Sequence, residues 1–282
     1  VVGYEVAGRI DAVGSGLSAD EHVGREVFAL IRFGGYSDVV CIPENQTFDR
    51  PKGMTSIEGA AIPVNYVTAY QLITVMGALK SHETVLIHSA GGGVGNAAIQ
   101  LAKHIGATII GTASAGKHDA LREAGVDHCI DYRTQDFEKR TLELTNGRGV
   151  ELILDAVGGE SFKKGLRCLA PTGRLGMFGM SSAATGKRKN LVSLIKAIAT
   201  MPLLDFHPGS LMNANRGVFG VNLGHMWGEV DTIRRWFGEL VALYEEGVIE
   251  PRIAETFSFE EAAAAHHYIQ DRKNFGKVVL TP

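Results

Sequence analysis

A glycine-rich turn is the segment of this sequence whose residue types most clearly suggest chemistry. Val85-Leu86-Ile87 has the apolar content of a buried strand, and glycines follow it at positions 91–93 and 95. From Val94 onward, apolar residues recur at helical spacing. A helix that begins at glycines offers unpaired backbone N–H groups, the positive end of its dipole and room for close approach. The segment therefore predicts a site for the pyrophosphate of a dinucleotide.

The turn departs from the strict G-x-G-x-x-G pattern of dinucleotide sites. Counted from Gly91, the sixth position is Asn96 instead of glycine. Counted from Ala90, the pattern fits at Gly92 and Gly95, with alanine in the first position. A plain strand-to-helix turn is the alternative interpretation. The agreement of strand, turn, helix and spacing favours the dinucleotide.

The end of the next predicted strand bears on which dinucleotide binds. A site for NAD normally has Asp or Glu there, about 20 residues on, to bind the ribose 2′-hydroxyl. Here the end of the strand and the residues after it include Thr112, Ser114 and Lys117. Between Gly111 and Asp119 there is no Asp or Glu. Hydroxyls and a lysine suit a 2′-phosphate, so NADPH is favoured over NADH. A solvated lysine near a helix start is the alternative for Lys117.

Composition excludes several other classes of protein. The 282 residues carry 28 Lys and Arg against 31 Asp and Glu, a net charge of −3 without the basic footprint of a nucleic-acid-binding protein. The 35 glycines accompany only 8 prolines and no Gly-X-Y repeat, which fits a folded chain with many turns. Three scattered cysteines favour a reducing, cytoplasmic location, and no integral membrane segment stands out. The chain opens at Val1 without methionine, so we expect the beginning of the natural protein to be missing.

The order of the predicted elements indicates two kinds of structure. Short strands separated by glycines fill residues 1–62, and two helices and a strand, Lys277–Leu280, close the chain. Between them strands alternate with helices, which is typical of a parallel sheet. The closing strand is in a position to pair with the N-terminal strands, which would make the α/β part an insertion. The other predicted strands are Glu5–Val13, Glu26–Ile31, Tyr36–Ile42, Thr84–Ser89, Thr108–Ala113, His128–Tyr132, Val150–Val157, Arg174–Gly179 and Arg216–Asn222. The predicted helices are Ile57–Ile73, Val94–Ile105, Lys117–Ala124, Asp136–Thr145, Ser161–Leu169, Leu191–Thr200, Val230–Glu246 and Phe259–Gln270.

Several short segments spread along the chain carry the pattern of a known family. They are Gly3–Gly8, Asn65–Tyr70, Ser89–Gly95, Asp155–Gly158 and Gly276–Leu280. Together they resemble the medium-chain dehydrogenase/reductase superfamily, specifically its zinc-independent quinone oxidoreductase branch, over essentially the whole chain. Residues 215–224 are most similar to the VAT-1-like subgroup of that branch.

The resemblance implies an α/β fold in which a Rossmann-type, doubly wound parallel sheet is inserted into a GroES-like, β-rich catalytic domain. The Rossmann, NADP-binding domain is expected over residues 63–215, and the catalytic domain over residues 1–62 and 216–282. The resemblance also implies that the opening strands of the catalytic domain are absent from this chain.

The resemblance further implies which residues contact NADP. The implied contacts are Gly92, Gly93 and Val94 for the pyrophosphate; Thr112, Ser114, Lys117 and Tyr132 for the 2′-phosphate; Phe178, Gly179, Ser181, Phe219, Gly220 and Val221 toward the nicotinamide; and Thr68 and Arg272 to complete the set. Core packing is the alternative for Phe178 and Phe219, and a surface position at a strand end is the alternative for Tyr132.

Departures from the zinc-dependent relatives argue against a metal site. Those relatives have His beside the glutamate of a Gly-His-Glu motif, where this chain has Tyr4. They also have a cysteine near the start of the helix at Asn65, and a loop of four cysteines for a structural zinc, both missing here. Imidazole and thiolate are ligands that Zn²⁺ needs, so no metal is expected. Polyketide enoyl reductases are another similar branch, but they carry Lys and Asp where this chain has Met180 and Ser182.

These inferences predict an NADPH-dependent oxidoreductase that transfers a hydride to a quinone or an α,β-unsaturated carbonyl without metal. No catalytic residue is assigned, and Tyr66 and His88 are expected to be structural. The alternatives are a non-catalytic, VAT-1-like NADP-binding protein with a structural, vesicle- or lipid-associated role, and an enoyl reductase. The expected partners are a small electrophilic substrate and a second copy of the chain, paired through edge strand 217–222 as a homodimer.

Overall fold

The structure is a computed structural model and describes residues 2–181 and 206–282. The predicted helix Leu191–Thr200 and the position of Ser182 lie outside these ranges. The strands are β1 (Glu5–Arg9), β2 (Glu26–Leu30), β3 (Thr47–Asp49), β4 (Thr84–Ile87), β5 (Thr108–Ala113), β6 (His128–Asp131), β7 (Val150–Asp155), β8 (Leu169–Met177), β9 (Gly217–Gly220), β10 (Ile253–Ser258) and β11 (Lys277–Thr281). The α-helices are α1 (Ala19–His22), α2 (Ser56–Ala61), α3 (Pro63–Tyr70), α4 (Gly93–Ile105), α5 (His118–Ala124), α6 (Phe137–Leu144), α7 (Glu160–Cys168), α8 (Pro208–Ala214), α9 (Val230–Glu245) and α10 (Ala262–Gln270).

Contacts along the backbone divide the chain into two units. The terminal unit combines Val1–Thr68 with Leu223–Pro282, and the central unit is Ala69–Asn222. The predicted domain boundaries, after residues 62 and 215, fall a few residues before these divisions. The observed division therefore keeps β9 with the central unit.

The central unit is built on a parallel sheet of six strands. Its strand order is β6-β5-β4-β7-β8-β9, and every neighbouring pair is parallel. The chain proceeds outward in one direction from β4 to β6 and in the other from β7 to β9, so the order reverses between β4 and β7. In such sheets ligands bind beyond the carboxyl ends of the strands at that reversal. The predicted Rossmann-type, doubly wound sheet is confirmed.

Apolar runs explain why these segments form the middle of the sheet. All six residues of β7 are buried, and β4 and β5 are buried except at their first residues. Such continuous runs are typical of parallel strands that helices cover on both faces. One core cluster consists of Leu86, Ile110, Ile130, Val150, Ile153, Phe162, Leu166, Cys168, Leu169 and Leu175.

The terminal unit contains an antiparallel sheet, β1-β2-β3, and a parallel pair, β10-β11. The closing strand thus pairs with β10, whereas the sequence suggested pairing with the N-terminal strands. A side chain makes the connection instead. The carboxylate of Glu5 in β1 forms an ion pair with Lys277 of β11. The same carboxylate accepts a hydrogen bond from the backbone N–H of Val64 at 2.8 Å, at the start of α3.

The predicted strand Tyr36–Ile42 is wrong, because these residues form bends and irregular backbone. The N–H of Tyr36 donates to the carbonyl of Val2 at 3.1 Å, and that of Gly35 donates to the carbonyl of Gly3 at 3.2 Å. Gly3 has a φ of +103°, and a Cβ there would lie 2.6 Å from the Cα of Gly35. A close approach between two glycines holds this segment, and within residues 2–181 no strand pairing continues from it.

The predicted helix Ile57–Ile73 is divided in the structure. Helix α2 ends at Ala61, and α3 begins at Pro63, whose ring removes the N–H that a continuous helix would use. Thr55 caps α2 in a reciprocal pair of hydrogen bonds with Glu58. Gln71–Val75 continues α3 as a π-helical turn.

None of the helices in residues 2–181 and 206–282 combines the length and the apolar composition needed to cross a membrane. Cys41, Cys129 and Cys168 are all free thiols.

Candidate nucleotide-binding site

The glycine turn lies where the order of the central sheet reverses. Strand β4 ends at Ile87, and Gly92 is the N-cap of α4, with no side chain to cap the helix. The N–H of Gly92 donates to the carbonyl of Ser89 at 2.8 Å, which closes the turn. Gly93 and Val94 form the first turn of the helix, where N–H groups have no acceptor within the helix. Gly92 therefore contributes space, and Gly93 and Val94 contribute donors.

Gly95 fits the helix closely against the end of β4. A Cβ at this position would lie 2.6 Å from the carbonyl oxygens of both Ser89 and Ala90. At Gly92 the corresponding atom would lie 3.2 Å from the carbonyl oxygen of Ser89. The missing side chains thus form the close turn that a pyrophosphate site needs, and the residues present fit a dinucleotide.

Asn96 explains the departure from the glycine pattern. Its side-chain amide donates to the carbonyl of Gly92 at 3.0 Å and reaches the carbonyl of Ala90 at 3.5 Å. The residue is buried and closes the turn from behind. Sequence reasoning did not assign it a role, although an amide side chain in a glycine position was the available signal.

The end of β5 places the residues predicted for the 2′-phosphate in two different settings. Thr112 is 2% exposed; its Oγ1 lies 3.2 Å from Nδ1 of His88 and accepts a hydrogen bond from the N–H of Ser89 at 3.3 Å. Ser114 is the N-cap and Lys117 the last residue of the 3₁₀ turn Ala115–Lys117 that follows the strand, and both are half-buried. The hydroxyl of Thr112 is thus committed to the glycine turn, while Ser114 and Lys117 lie at the strand's accessible end.

The loops after β7 and β8 are joined by backbone hydrogen bonds. The N–H of Phe178 donates to the carbonyl of Asp155 at 3.0 Å, and that of Ser181 donates to the carbonyl of Ala156 at 2.9 Å. A Cβ at Gly179 would lie 2.9 Å from the carbonyl oxygen of Ala156. These loops therefore approach closely enough to require glycine.

The ring of Phe219 packs on the sheet. A Cβ at Gly176 would lie 2.6 Å from that ring and 3.1 Å from a methyl group of Leu72. The residue is half-buried, so its packing agrees with the alternative stated from sequence. The N–H of Val221 donates to the carbonyl of Met177 at 2.9 Å, which extends the pairing of β9 with β8.

The parallel sheet therefore gathers all but two of the predicted cofactor contacts along its carboxyl edge. Contact of each residue with a nucleotide stays a prediction. The gathered residues are Gly92, Gly93, Val94, Thr112, Ser114, Lys117, Tyr132, Phe178, Gly179, Ser181, Phe219, Gly220 and Val221.

The remaining two predicted contacts belong to the terminal unit. Thr68 is buried in α3, and Arg272 follows α10 with a φ of +58°. Tyr66 is also buried in α3, and its hydroxyl donates to the carbonyl of Glu250 at 3.0 Å. This bond ties α3 to the segment before β10.

A buried histidine and a buried aspartate follow the two central strands. His88, directly after β4, is 3% exposed, and within the described residues its Nε2 has no hydrogen-bond partner. Asp155 ends β7, and its carboxylate accepts hydrogen bonds from the N–H of Val157 at 2.6 Å and the hydroxyl of Ser161 at 2.6 Å. Burial lowers the pKa of His88, and the negative charge of Asp155 opposes this shift without cancelling it.

The depressed pKa of His88 predicts that acid destabilises this protein. In the unfolded chain a histidine binds its proton with a pKa of about 6.5, and in the folded chain it does so only at lower pH. The unfolded state therefore binds more protons between the two pKa values, so the free energy of unfolding falls as the pH drops below about 6.5. As the pH falls below about 6.5, we expect the free energy of unfolding to decrease less in His88→Asn than in wild type. The difference between the two slopes should be up to about 1.4 kcal/mol per pH unit. Urea unfolding at several pH values measures this, and equal slopes for the two proteins would contradict it.

In the described part of the chain, no group of three or more His, Cys, Asp or Glu side chains is arranged to hold a metal ion. Tyr4, in the position where zinc-dependent relatives have histidine, is 45% exposed, and its ring centre lies 5.4 Å from that of Phe33. A metal-free site stays a prediction.

Comparisons with known proteins agree with this architecture. A family model described as zinc-binding dehydrogenase matches residues 124–280. The synaptic vesicle membrane protein VAT-1 homolog of Rattus norvegicus is 40% identical over 281 residues, which are 99% of this chain and 69% of that protein. A 2-haloacrylate reductase from Burkholderia sp is 31% identical over 292 residues, covering 100% of this chain and 81% of that protein.

A solved structure extends the agreement to three dimensions. The crystal structure of Escherichia coli quinone oxidoreductase complexed with NADPH matches with a TM-score of 0.84 at 29% identity, covering 100% of this chain and 82% of that one. The family model spans more than half of this chain, and the relatives span nearly all of it. The chain therefore belongs to the zinc-binding dehydrogenase family, within the medium-chain dehydrogenase/reductase superfamily.

Proposed function

We propose that this protein is an NADPH-dependent oxidoreductase that reduces an electron-poor acceptor, either a quinone or an α,β-unsaturated carbonyl. The glycine turn at the reversal of strand order carries the proposal, because it leaves N–H groups at the start of α4 available to an anion. The similar Escherichia coli quinone oxidoreductase is complexed with NADPH. Another relative is a 2-haloacrylate reductase, and its name supports an electron-poor double bond as the acceptor.

Gly92, Gly93 and Val94 would hold the pyrophosphate. They are half-buried and therefore reachable, unlike Gly95 and Asn96, which are buried behind them. The positive end of the α4 dipole adds to the attraction of an anion at this point.

Ser114 and Lys117 would distinguish the 2′-phosphate of NADPH from the 2′-hydroxyl of NADH. An ammonium and a hydroxyl form charge-assisted hydrogen bonds to a phosphate. Tyr132, which follows the neighbouring strand β6, is exposed and offers a further hydroxyl at the same edge. The turn from Ser114 to Lys117 holds no carboxylate to bind a ribose hydroxyl.

When bound, NADPH supplies a hydride, and the acceptor gains that hydride together with a proton from water. We propose that the reaction needs no metal, because Tyr4 replaces a histidine ligand and the helix at Asn65 lacks the cysteine. Hydrogen bonds from the protein would then polarise the acceptor.

The test is NADPH consumption by the purified protein with a panel of quinones, enones and α,β-unsaturated thioesters. We expect turnover with at least one quinone or enone, faster with NADPH than with NADH and unchanged by a metal chelator. Turnover confined to thioesters would favour an enoyl reductase. Failure to bind NADPH in titration calorimetry would overturn the proposal.

A second candidate is an NADP-binding protein that associates with lipid and does not turn over. The similarity to a relative named as a synaptic vesicle membrane protein favours it. A sequence pI near 6.4 weighs against attraction to anionic lipid. Sedimentation with phosphatidylcholine vesicles, with and without phosphatidylserine, tests it. Binding to vesicles, combined with NADPH binding and no turnover, would replace the first candidate.

We propose that two copies of the chain pair through β9. This strand is the outer strand of the sheet and is partly exposed, and apolar edges are normally covered or paired. Because the N–H of Val221 points to β8, alternation along the strand turns the N–H of Val218 outward. We expect a dimer in light scattering, converted to monomer by Val218→Pro, which removes that donor. Val218→Thr keeps the donor and should remain dimeric, and a monomeric wild type would contradict the pairing.

A further inference from the structure

The hydroxyl of Thr112 connects a buried histidine to the glycine turn. His88 and Thr112 are 3% and 2% exposed, whereas Ser89, between β4 and the glycines, is exposed. Oγ1 of Thr112 lies 3.2 Å from Nδ1 of His88 and accepts the N–H of Ser89 at 3.3 Å. A chain of two hydrogen bonds thus runs from the interior to the first residue of the turn.

Ser89 needs such support because its backbone is strained. Its φ is +54°, in the left-handed region that residues other than glycine rarely adopt. Strain of this kind persists only where the surroundings fix it. The carbonyl of Ser89 accepts a hydrogen bond from the N–H of Gly92. The N–H of the next residue, Ala90, donates to the carbonyl of Thr112 at 3.1 Å. The conformation of Ser89 therefore sets the path of the chain into α4.

His88 is itself held in one orientation. Its backbone N–H donates to the carbonyl of Leu154 at 3.0 Å, and its ring meets the ring of Phe137 edge-on, with centres 4.5 Å apart. A threonine hydroxyl can accept one hydrogen bond and donate another, so Oγ1 of Thr112 can accept the N–H of Ser89 while its hydrogen is donated to Nδ1 of a neutral imidazole.

We propose that His88 is a positioning residue for the nucleotide. In its neutral form Nδ1 accepts the hydroxyl hydrogen of Thr112, and the fixed hydroxyl holds Ser89 in the conformation that presents Gly93 and Val94 to the pyrophosphate. His88 does not touch the nucleotide, so its loss weakens binding without removing a phosphate contact. This inference rests on the proposed binding of NADPH.

The test compares substitutions that break the chain of hydrogen bonds with substitutions that keep it. His88→Leu and Thr112→Val should each raise the Kd for NADPH about 3- to 10-fold in titration calorimetry. His88→Asn, which offers an amide oxygen near the place of Nδ1, and Thr112→Ser should stay within about twofold. The Leu/Val double variant should bind no more weakly than either single variant, because both break the same chain.

Thr141→Val is the matched control. Thr141 is another fully buried threonine of the central unit, and within the described residues its hydroxyl has no partner. This substitution should leave the Kd for NADPH unchanged.

Amide hydrogen exchange at Ser89 gives a readout that needs no nucleotide. His88→Leu and Thr112→Val should speed exchange of that N–H, and His88→Asn and Thr112→Ser should not. A wild type that fails to bind NADPH contradicts the proposed function, while the exchange result still tests the inference. If His88→Leu does not fold, Thr112→Val against Thr112→Ser decides. The inference would be overturned if Thr112→Val exchanged the Ser89 N–H and bound NADPH like wild type. It would also be overturned if the increases in Kd of the two single variants multiplied in the double variant.

Discussion

Gly95→Ala is expected to weaken NADPH binding by about tenfold or more. The added Cβ would lie 2.6 Å from the carbonyl oxygens of Ser89 and Ala90. Both contacts are with backbone, which cannot turn aside as the tip of a side chain can. Helix α4 must therefore move away from β4, and the N–H groups of Gly93 and Val94 move with it. Overpacking of this kind costs about 1–3 kcal/mol.

Titration calorimetry with NADPH measures this effect, and circular dichroism shows that the variant is folded. Gly238→Ala is the matched control, because Gly238 also lies within a helix and a Cβ there meets nothing within 4 Å. That variant should bind like wild type. An affinity of Gly95→Ala equal to that of wild type would show that the nucleotide does not depend on the start of α4.

Lys117→Glu is expected to reduce the affinity for NADPH by about tenfold or more and to leave that for NADH within about twofold. The ammonium would be replaced by a carboxylate that repels a 2′-phosphate and accepts hydrogen bonds from a ribose hydroxyl. The two nucleotides differ only at this group, so their ratio reports on the end of β5 alone.

The ratio of the two Kd values, from parallel titrations, is the measurement. Lys103→Glu makes the same charge change in the last turn of α4, at the opposite end of that helix from the glycines, and should leave the ratio unchanged. Equal losses for both nucleotides in Lys117→Glu would mean that Lys117 does not contact the 2′-phosphate.

The central sheet could be predicted because its signal is local. Buried parallel strands need continuous apolar runs, and helices between them need one apolar face. Thr108–Ala113 therefore begins and ends where predicted, and α4 differs from its prediction by one residue at its start. Strands that alternate with helices pair with one another in a single parallel sheet, so the sequence leaves few alternative partners for each strand.

The terminal unit was harder to predict because its contacts are distant in sequence. The Tyr36–Ile42 segment has the aromatic and β-branched residues of a strand, yet the N–H of Tyr36 donates to the carbonyl of Val2. The pairing of β11 with β10 depends on a strand, Ile253–Ser258, that the sequence pattern did not reveal. Strand β10 is only partly buried, so its sequence shows little of the alternation of apolar and polar residues that predicts a strand.

In the candidate site, the backbone features were predictable and the side-chain connections were not. The glycines were visible as a pattern of missing side chains. The amide of Asn96 donates to the carbonyl of Gly92, and Nδ1 of His88 lies within hydrogen-bond distance of Oγ1 of Thr112. Such contacts depend on backbone geometry that a pattern of residue types does not contain. Contacts between side chains and a nucleotide depend on the same geometry, so residue types alone do not determine them either.

The composition of the terminal unit also imposes an order on synthesis. Glu5 and Lys277 are 272 residues apart, so their ion pair, and the pairing of β10 with β11, waits until residue 277 has left the ribosome. The strands of the central unit all lie within Ala69–Asn222 and emerge earlier. The nascent chain therefore contains the six described strands of the central sheet while β1, β2 and β3 still await their C-terminal partners. During synthesis, β1, β2 and β3 are therefore the described strands that wait longest for partners later in the chain.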